Sequence, residues 1–483
     1  MSFTRRRIIL SLIWKYLEQS SLQVVQFVIS IVLARLLIPD DFGLIALVSI
    51  FFSIIGVFIS SGLNTALIQK KDADDLDFSS VFWISICIAC FLYVVMFFAI
   101  PFIATFFSNY NQDNLIIITR ILGLNLFVGV FISMQGVIVA KNLLFKKMFY
   151  RSFIVAIPTG ILGIYLAYIG FGVWALVWQY TLSAILTFLF MQFVVRWKPS
   201  FIFSFARAKA LFSFGWKLLA SSLVALIFEN LHKLIIGKFF SAANMAFCDK
   251  GESFPKVIIT NIDASIQSVM FPTFSEFQHD KEKLKQIFRR SITFSSFVIF
   301  PLMTLLTVVA EPTVHWLLGA KWLPCVVFMQ IYCFNYALWP IHTNNLSIIN
   351  ALGRSDLFLK LTIIKGFVGI VLVIGALIVF KSIYALVGAV AVSSLICTFI
   401  NAFPNKKLLN YGYLEQIKDI LPYFVLSISI GVLVFPIAYI CMNDIALIAI
   451  QGLTGAALYI LFAKIAKMDS FEYAWQMLKR VKY

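Results

Sequence analysis

Charge is what this 483-residue chain has least of: Asp, Glu, Lys and Arg make up 13% of it, where about a quarter is usual for a soluble domain. That shortage excludes a soluble enzyme, a nucleic-acid-binding domain and a disordered chain together, since each needs a charged, solvated surface. Histidine is scarcer still, and His232, His279, His315 and His342 show no ligand-like spacing. The seven cysteines, Cys87, Cys90, Cys248, Cys325, Cys333, Cys397 and Cys441, lie in or at the ends of apolar runs and offer neither a disulfide framework nor a metal set. No GxxxxGK[ST] loop occurs, so the chain does not itself hydrolyse ATP, and no Ser-His-Asp order carries a nucleophile elbow. No enzyme activity, catalytic residue, metal or cofactor is expected.

Apolar residue is what the chain has instead, at 61% with a mean hydropathy of +0.95. It falls in fourteen runs, near 12–36, 42–69, 80–106, 114–140, 152–170, 173–195, 211–236, 244–270, 291–318, 323–350, 357–380, 383–403, 420–441 and 445–464. Nearly all reach the ~20 residues that cross a ~30 Å hydrocarbon core, and 152–170 borders the lower limit. Fourteen spans put both termini on one side. With the N-terminus inside, 28 of the 39 Lys and Arg fall in interior segments, and 4 (Arg35, Lys238, Lys321, Lys381) fall outside. Positive residues accumulate in cytoplasmic loops, so both termini are expected in the cytoplasm. The net charge of +17 is then mainly topology, and no nucleic-acid partner is implied. Arg5-Arg6-Arg7 before an apolar run resembles a signal peptide, but that run is too long, carries Lys15 and Glu18 and lacks a small-residue cleavage site, so it reads as a retained helix.

A weak internal repeat is visible. Trp14-Lys15-Tyr16-Leu17 opens the first span and Trp216-Lys217-Leu218-Leu219 the seventh, Ser20 matches Ser222, and Arg35 has a counterpart in Lys238. The repeat predicts two six-helix lobes, 1–205 and 206–405, followed by two added helices and a tail over 406–483. In that tail Phe471, Trp475 and Leu478 with Lys479, Arg480 and Lys482 give an amphipathic helix suited to the inner leaflet.

Charges inside spans cost about 2.5–3.5 kcal/mol each at mid-helix on insertion scales, so they ordinarily face a cavity or a partner. The first span keeps Lys15, Glu18, Gln19, Gln23, Gln26 and Ser30 on one face. The eighth places Asp249, Glu252, Lys256, Thr260, Asp263 and Gln267 at steps of three and four, which predicts a water-facing wall, with Lys250 beside it. The seventh adds Lys217 and a Glu229–Lys233 pair at i+4, for which a self-neutralising ion pair and a functional role are equally compatible. Asn64, Asn335, His342 and Asn345 are expected to satisfy neighbouring helices. Arg120 and Lys365, like Lys15 and Lys217, lie near enough to a span end to snorkel. The equivalent placement of the stripes predicts one polar cavity, whose cations would attract an anionic, phosphate-like group.

The strings LARLLIPDDFGLIAL at 33–47, SGLNTALIQKKD at 61–72, GFGVWALVWQY at 170–180 and AEPTVHWLLGAKWLP at 310–324 resemble the WzxC-type oligosaccharide flippases. PIHTNNLSIINALGRSDLFLK at 340–360 and PNKKLLNYGYLEQIKD at 404–419 do so as well, and the resemblance runs over nearly the whole chain. It implies a place in the multidrug/oligosaccharidyl-lipid/polysaccharide exporter superfamily: an all-α, MATE-like fold of two six-helix lobes with two extra helices in a bacterial inner membrane. It also implies that the chain flips undecaprenyl-diphosphate-linked oligosaccharide to the periplasmic leaflet for lipopolysaccharide, capsule or exopolysaccharide synthesis. Alternating access with ion-gradient coupling is implied too, with membrane lipids, a glycan polymerase and a chain-length regulator as partners. Where relatives commonly carry Tyr and Arg, this chain has Phe247-Cys248-Asp249-Lys250, which keeps the positive charge without the bidentate fork. The residues expected to bind diphosphate are Arg35, Lys217, Lys233, Lys250 and Lys256. Those expected to balance charge, line the cavity or carry a proton are Glu18, Gln26, Glu229, Asp249, Glu252, Asp263 and Gln267. A multidrug exporter of the same fold would prefer an acidic, aromatic cavity, and a membrane-embedded glycan polymerase or ligase would need larger exterior loops.

Overall fold

The computed structural model describes residues 5–60, 62–70, 72–440 and 443–481. Lys71, Cys441 and Lys482 lie outside them, as do the side chains of Arg5, Arg6, Arg7, Leu478, Lys479 and Arg480. The chain forms two compact units, residues 1–246 and 247–483, and no strand occurs among the described residues.

Unit 1 runs through α1 (Arg5–Leu36), α2 (Pro39–Ser60), α3 (Leu63–Gln69), α4 (Asp75–Phe106), α5 (Gln112–Gly123), α6 (Asn125–Asn142), α7 (Phe145–Tyr168), α8 (Val173–Val195) and α9 (Phe205–Phe239). It closes with the start of α10 (Ala242–Glu276). α1 packs on α7 and α7 on α8, while α9 lies against α2, α3 and α4. Local chemistry sets the ends of these helices. Asp74 caps α4 by accepting from the Asp77 amide at 3.0 Å, and the Asp77 side chain accepts in return from the Asp74 amide at 3.2 Å, a reciprocal capping box. Leu47, Val48, Leu115, Ile118 and Leu176 make one core cluster, and Leu67, Val81, Phe82, Val130 and Met134 a second. Where α9 crosses the α2–α3 break, Gly62 adopts φ +81°, and a Cβ on Gly215 would sit 2.6 Å from the Gly62 carbonyl carbon. Two glycines let the backbones touch.

Unit 2 continues α10 and adds α11 (Lys281–Val308), α12 (Ala310–Leu318), α13 (Cys325–Ala337), α14 (Trp339–Ala351), α15 (Ser355–Phe380), α16 (Ile383–Leu409), α17 (Tyr413–Val434), α18 (Asp444–Ile465) and α19 (Asp469–Val481). α11 is its hub, packed against α13, α14, α17, α18 and α19. The tail helix α19 docks through Tyr473, whose ring meets Phe294 edge-on at 5.8 Å and lies 4.9 Å from the Arg290 guanidinium.

Outward-facing side chains show which solvent the fold is made for. Phe102 on α4 is 80% exposed and Leu453 on α18 is 73% exposed, among dozens of large apolar side chains that only lipid would accept. Among the described residues, twelve helices or helix pairs are long and apolar enough to cross a membrane, so the chain is an all-α polytopic membrane protein. The other two expected spans, 244–270 and 323–350, correspond to α10, whose charges lower its hydropathy, and to α13–α14, two 13-residue helices that meet at Leu338. The fourth span is likewise split, into α5 and α6 at Leu124. Spans four and ten are equivalent under the proposed six-helix repeat, which places the lobe boundary before α9; the boundary between compact units falls after it.

Within each unit, contacts join loops that simple alternation assigns to the same side. In unit 1 the Lys141 ammonium donates to the Lys70 carbonyl at 2.7 Å and Arg207 reaches Asp74 at 2.6 Å, while elsewhere Asn109 donates to the Lys238 and Phe240 carbonyls at 3.2 and 3.3 Å. In unit 2 Lys285 pairs with Glu415 at 3.4 Å and Arg289 with Asp419 at 2.5 Å, and His315 pairs with Asp444 at 2.5 Å.

Candidate functional site

Unit 2 holds half of the expected site residues on one helix. Along α10, Lys250 and Glu252 are 9% and 8% exposed, and Asp249, Lys256, Asp263 and Gln267 are half-buried. The Tyr336 hydroxyl donates to Glu252 at 2.9 Å, and Lys256 lies 3.5 Å from the same carboxylate. Two turns on, Asp263 accepts from the Trp339 indole at 3.2 Å and from the Thr343 hydroxyl at 2.9 Å, and Ser347 donates to Gln267 at 2.7 Å. Over Glu252, Asp263 and Gln267 the stripe is therefore a polar seam against α13 and α14, where the sequence predicts a water-facing wall. The physical reason is complementary spacing: Trp339, Thr343 and Ser347 recur every four residues, so α14 offers donors to the α10 acceptors. That i, i+4, i+8 run was visible in the sequence and is the signal that would have found the seam.

Behind it, the buried amides of Asn345, Asn405 and Gln416 close a network across α14, α16 and α17. Asn345 donates to Gln416 at 2.8 Å and Gln416 returns a bond at 3.0 Å, while Asn405 donates to Asn345 at 2.6 Å. His342 bonds Ser394 through Nε2 and Asn401 through Nδ1, both at 3.0 Å. These groups satisfy neighbouring helices, as expected for Asn345 and His342.

In unit 1 the expected residues lie on α1 and α9. Gln26 and Arg35 are exposed on α1, Lys217 and Glu229 are exposed on α9, and Lys233 is half-buried. Glu18 is held 2.8 Å from Arg151 of α7, with both side chains under one-fifth exposed. Arg151 was missed by loop counting, which assigns it to a cytoplasmic segment; it sits in the second turn of α7, which is long enough to bring it against α1. Arg120 keeps its charge inside the fold by lying 4.0 Å over the Phe97 ring and donating to the Phe97 carbonyl.

A second charged cluster joins the start of α9 to α4. Asp77, with no solvent exposure, takes Lys70 at 2.6 Å, and Arg207 donates to both Asp74 oxygens at 2.6 Å while lying 3.5 Å from Asp77. The Arg207 guanidinium holds the Asp74 carboxyl down at about 2. Lys70 and Arg207 also line a cleft of about 340 Å³ floored by Ala66, Ala210 and Leu211. The linker before α9 is strapped down nearby: Ser79 and Ser80 accept from the Ser200 and Ser204 amides, and Trp83 donates to the Ser200 carbonyl.

These arrangements can bind anions, polyols and protons. Among the described residues no three His, Cys, Asp or Glu side chains converge as metal ligands, and Cys87, Cys90, Cys325, Cys333 and Cys397 are free thiols.

Residues 32–327 match the family described as "Polysaccharide biosynthesis protein". The chain is 27% identical over 316 residues to the succinoglycan biosynthesis transport protein ExoT of Rhizobium meliloti (strain 1021), covering 64% of this chain and 62% of ExoT. It thus spans less than two thirds of that relative's length. It is 24% identical over 421 residues to the lipopolysaccharide biosynthesis protein WzxC of Escherichia coli (strain K12), covering 83% of each chain. Among solved structures it resembles the lipid II flippase MurJ in an inward closed conformation, at a TM-score of 0.78, 14% identity and coverage of 95% of this chain and 99% of MurJ. An inward-facing multidrug resistance MATE family transporter follows at 0.59 and 17%, covering 84% of this chain and 95% of that one. At these identities the likeness is one of fold.

Proposed function

The chain belongs to the polysaccharide biosynthesis protein family, and from that premise we propose that it flips an undecaprenyl-diphosphate-linked oligosaccharide from the cytoplasmic to the periplasmic leaflet of a bacterial inner membrane. The supporting observation is α10: a 35-residue helix in a lipid-facing chain that keeps Asp249, Lys250, Glu252, Lys256, Asp263 and Gln267 along its length. Such groups at membrane depth are costly and either pair within the protein or face a cavity; Glu252, Asp263 and Gln267 pair with α13 and α14, and on this reading the cations Lys250 and Lys256 serve a polar cargo. Diphosphate is the cargo group that suits cations, and Arg35, Lys217, Lys233, Lys250 and Lys256 supply them. The sugars take hydrogen bonds from amides and hydroxyls, and the isoprenoid tail stays in the bilayer. Both termini lie in the cytoplasm on this reading, since the basic loops joined at one end of unit 1 (70, 141 and 207) are the ones the positive-inside rule assigns there. Glu18, Asp249, Glu252 and Asp263 are the groups that could carry a coupling proton.

Lys250→Ala or Lys256→Ala is expected to abolish surface polysaccharide while membrane insertion stays normal. Polysaccharide at the parental level in both variants would refute the assignment. A drug-susceptibility panel in the deletion strain separates this function from multidrug export, which predicts hypersensitivity with surface glycan intact.

A further inference from the structure

α1 and α7 pack along one another and between them carry an unbalanced charge. Glu18 is the single acidic residue in the sequence of either helix, against Lys15 one turn before it on α1 and Lys146, Lys147 and Arg151 in the first two turns of α7. Glu18 engages one guanidinium nitrogen, Nη2, at 2.8 Å, with its own side chain 17% exposed and that of Arg151 19% exposed. Lys15 lies 5.5 Å over the Phe145 ring and Lys146 lies 5.5 Å over the Trp14 ring, itself edge-on to Phe149 at 5.3 Å. Aromatic faces thus hold two ammonium groups beside the ion pair without neutralising them. A planar guanidinium with donors to spare, two flanking cations and one carboxylate is a better match to a multiply charged anion than to Glu18 alone.

We propose that Arg151, with Lys15 and Lys146, forms an anion site for the diphosphate of the lipid carrier at the end of unit 1 where α7 begins, and that Glu18 holds the guanidinium until the diphosphate displaces it. The site rests on the flippase reading and adds to it a docking point on α7. Glu18 is here a competitor: it keeps Arg151 oriented while the site is empty and opposes capture of the anion.

The test is titration of the full-length protein in neutral-lipid nanodiscs with farnesyl diphosphate. Arg151→Gln is expected to weaken binding at least about tenfold and Glu18→Gln to tighten it about tenfold, the scale of one charge-assisted contact. A purely structural pair moves both variants in the same direction or neither, and either result overturns the site. The double variant Glu18→Gln with Arg151→Gln keeps the contact as an uncharged amide pair and guards against misfolding of a single variant: binding weakened as in Arg151→Gln is expected, and wild-type affinity overturns the proposal. If the wild-type protein fails to bind farnesyl diphosphate, the site and the lipid-diphosphate reading fall together. Binding that is indifferent to residues 18 and 151 overturns the site alone.

Discussion

Asp263 accepts hydrogen bonds from an indole N–H and a hydroxyl on α14, so its carboxylate is both stabilised and tied to a neighbouring helix. A proton arriving there would weaken both bonds and loosen the α10–α14 seam, which is how protonation could become movement. Asp263→Asn keeps the shape and an acceptor while removing the titratable charge. It is expected to leave transport insensitive to an imposed pH gradient in proteoliposomes, and gradient-dependent transport in this variant would exclude the role. Asp74 behaves differently. Its carboxyl sits at about 2, below the ordinary value of about 3.9, so its contribution to folding is complete above that ordinary value and is lost as pH falls through about 2. Hydrogen exchange at the start of α9 should therefore show no change in protection from pH 8 to pH 5 beyond the intrinsic rate; loosening within that window would mean that another group holds the strap. The acceptors were legible in the sequence, because charged residues at three- and four-residue steps stand out in an apolar run. Their partners showed only as the four-residue recurrence of Trp339, Thr343 and Ser347, which gains its meaning once the fold sets it opposite Asp263 and Gln267. Arg151 was hidden by the rule that revealed the topology: counted with its loop, it lost its place in the α7 helix.

Helix positions were readable from hydropathy, which runs straight through the breaks within spans four and ten. The local signals stand beside those breaks, Gly123 directly before Leu124 and Pro340 two residues after Leu338, but neither interrupts the apolar run. The contact of α9 with the α2–α3 break was invisible, since Gly62 and Gly215 stand about 150 residues apart and gain meaning only when their backbones meet. Gly215→Ala would place a methyl group 2.6 Å from the Gly62 carbonyl carbon and is expected to cost about 1–3 kcal/mol, the range of overpacking. Gly129→Ala on α6 meets nothing within 4 Å and should be neutral or stabilising by up to about 1 kcal/mol through helix propensity. Thermal unfolding of the two variants side by side checks the pair, and equal melting temperatures would show that the α9 crossing is not tight.

For the molecule as a whole, few charges and twelve candidate membrane-crossing helices among the described residues make a polytopic membrane protein whose polar residues are partly taken up by helix–helix seams. Most of the Lys and Arg lie between the apolar runs, and on the proposed reading cations within spans such as Lys250 and Lys256 handle the cargo. The chain belongs to the polysaccharide biosynthesis protein family and has a MurJ-like fold. The central proposal is that the chain moves a lipid-linked glycan across the membrane. The direct measurement is the fraction of undecaprenyl-diphosphate-linked oligosaccharide that a membrane-impermeant oxidant reaches in intact spheroplasts of a deletion strain and its complemented parent. Glycan is expected to be shielded in the deletion strain and oxidised when the gene is restored; glycan equally accessible in both would contradict the flippase function.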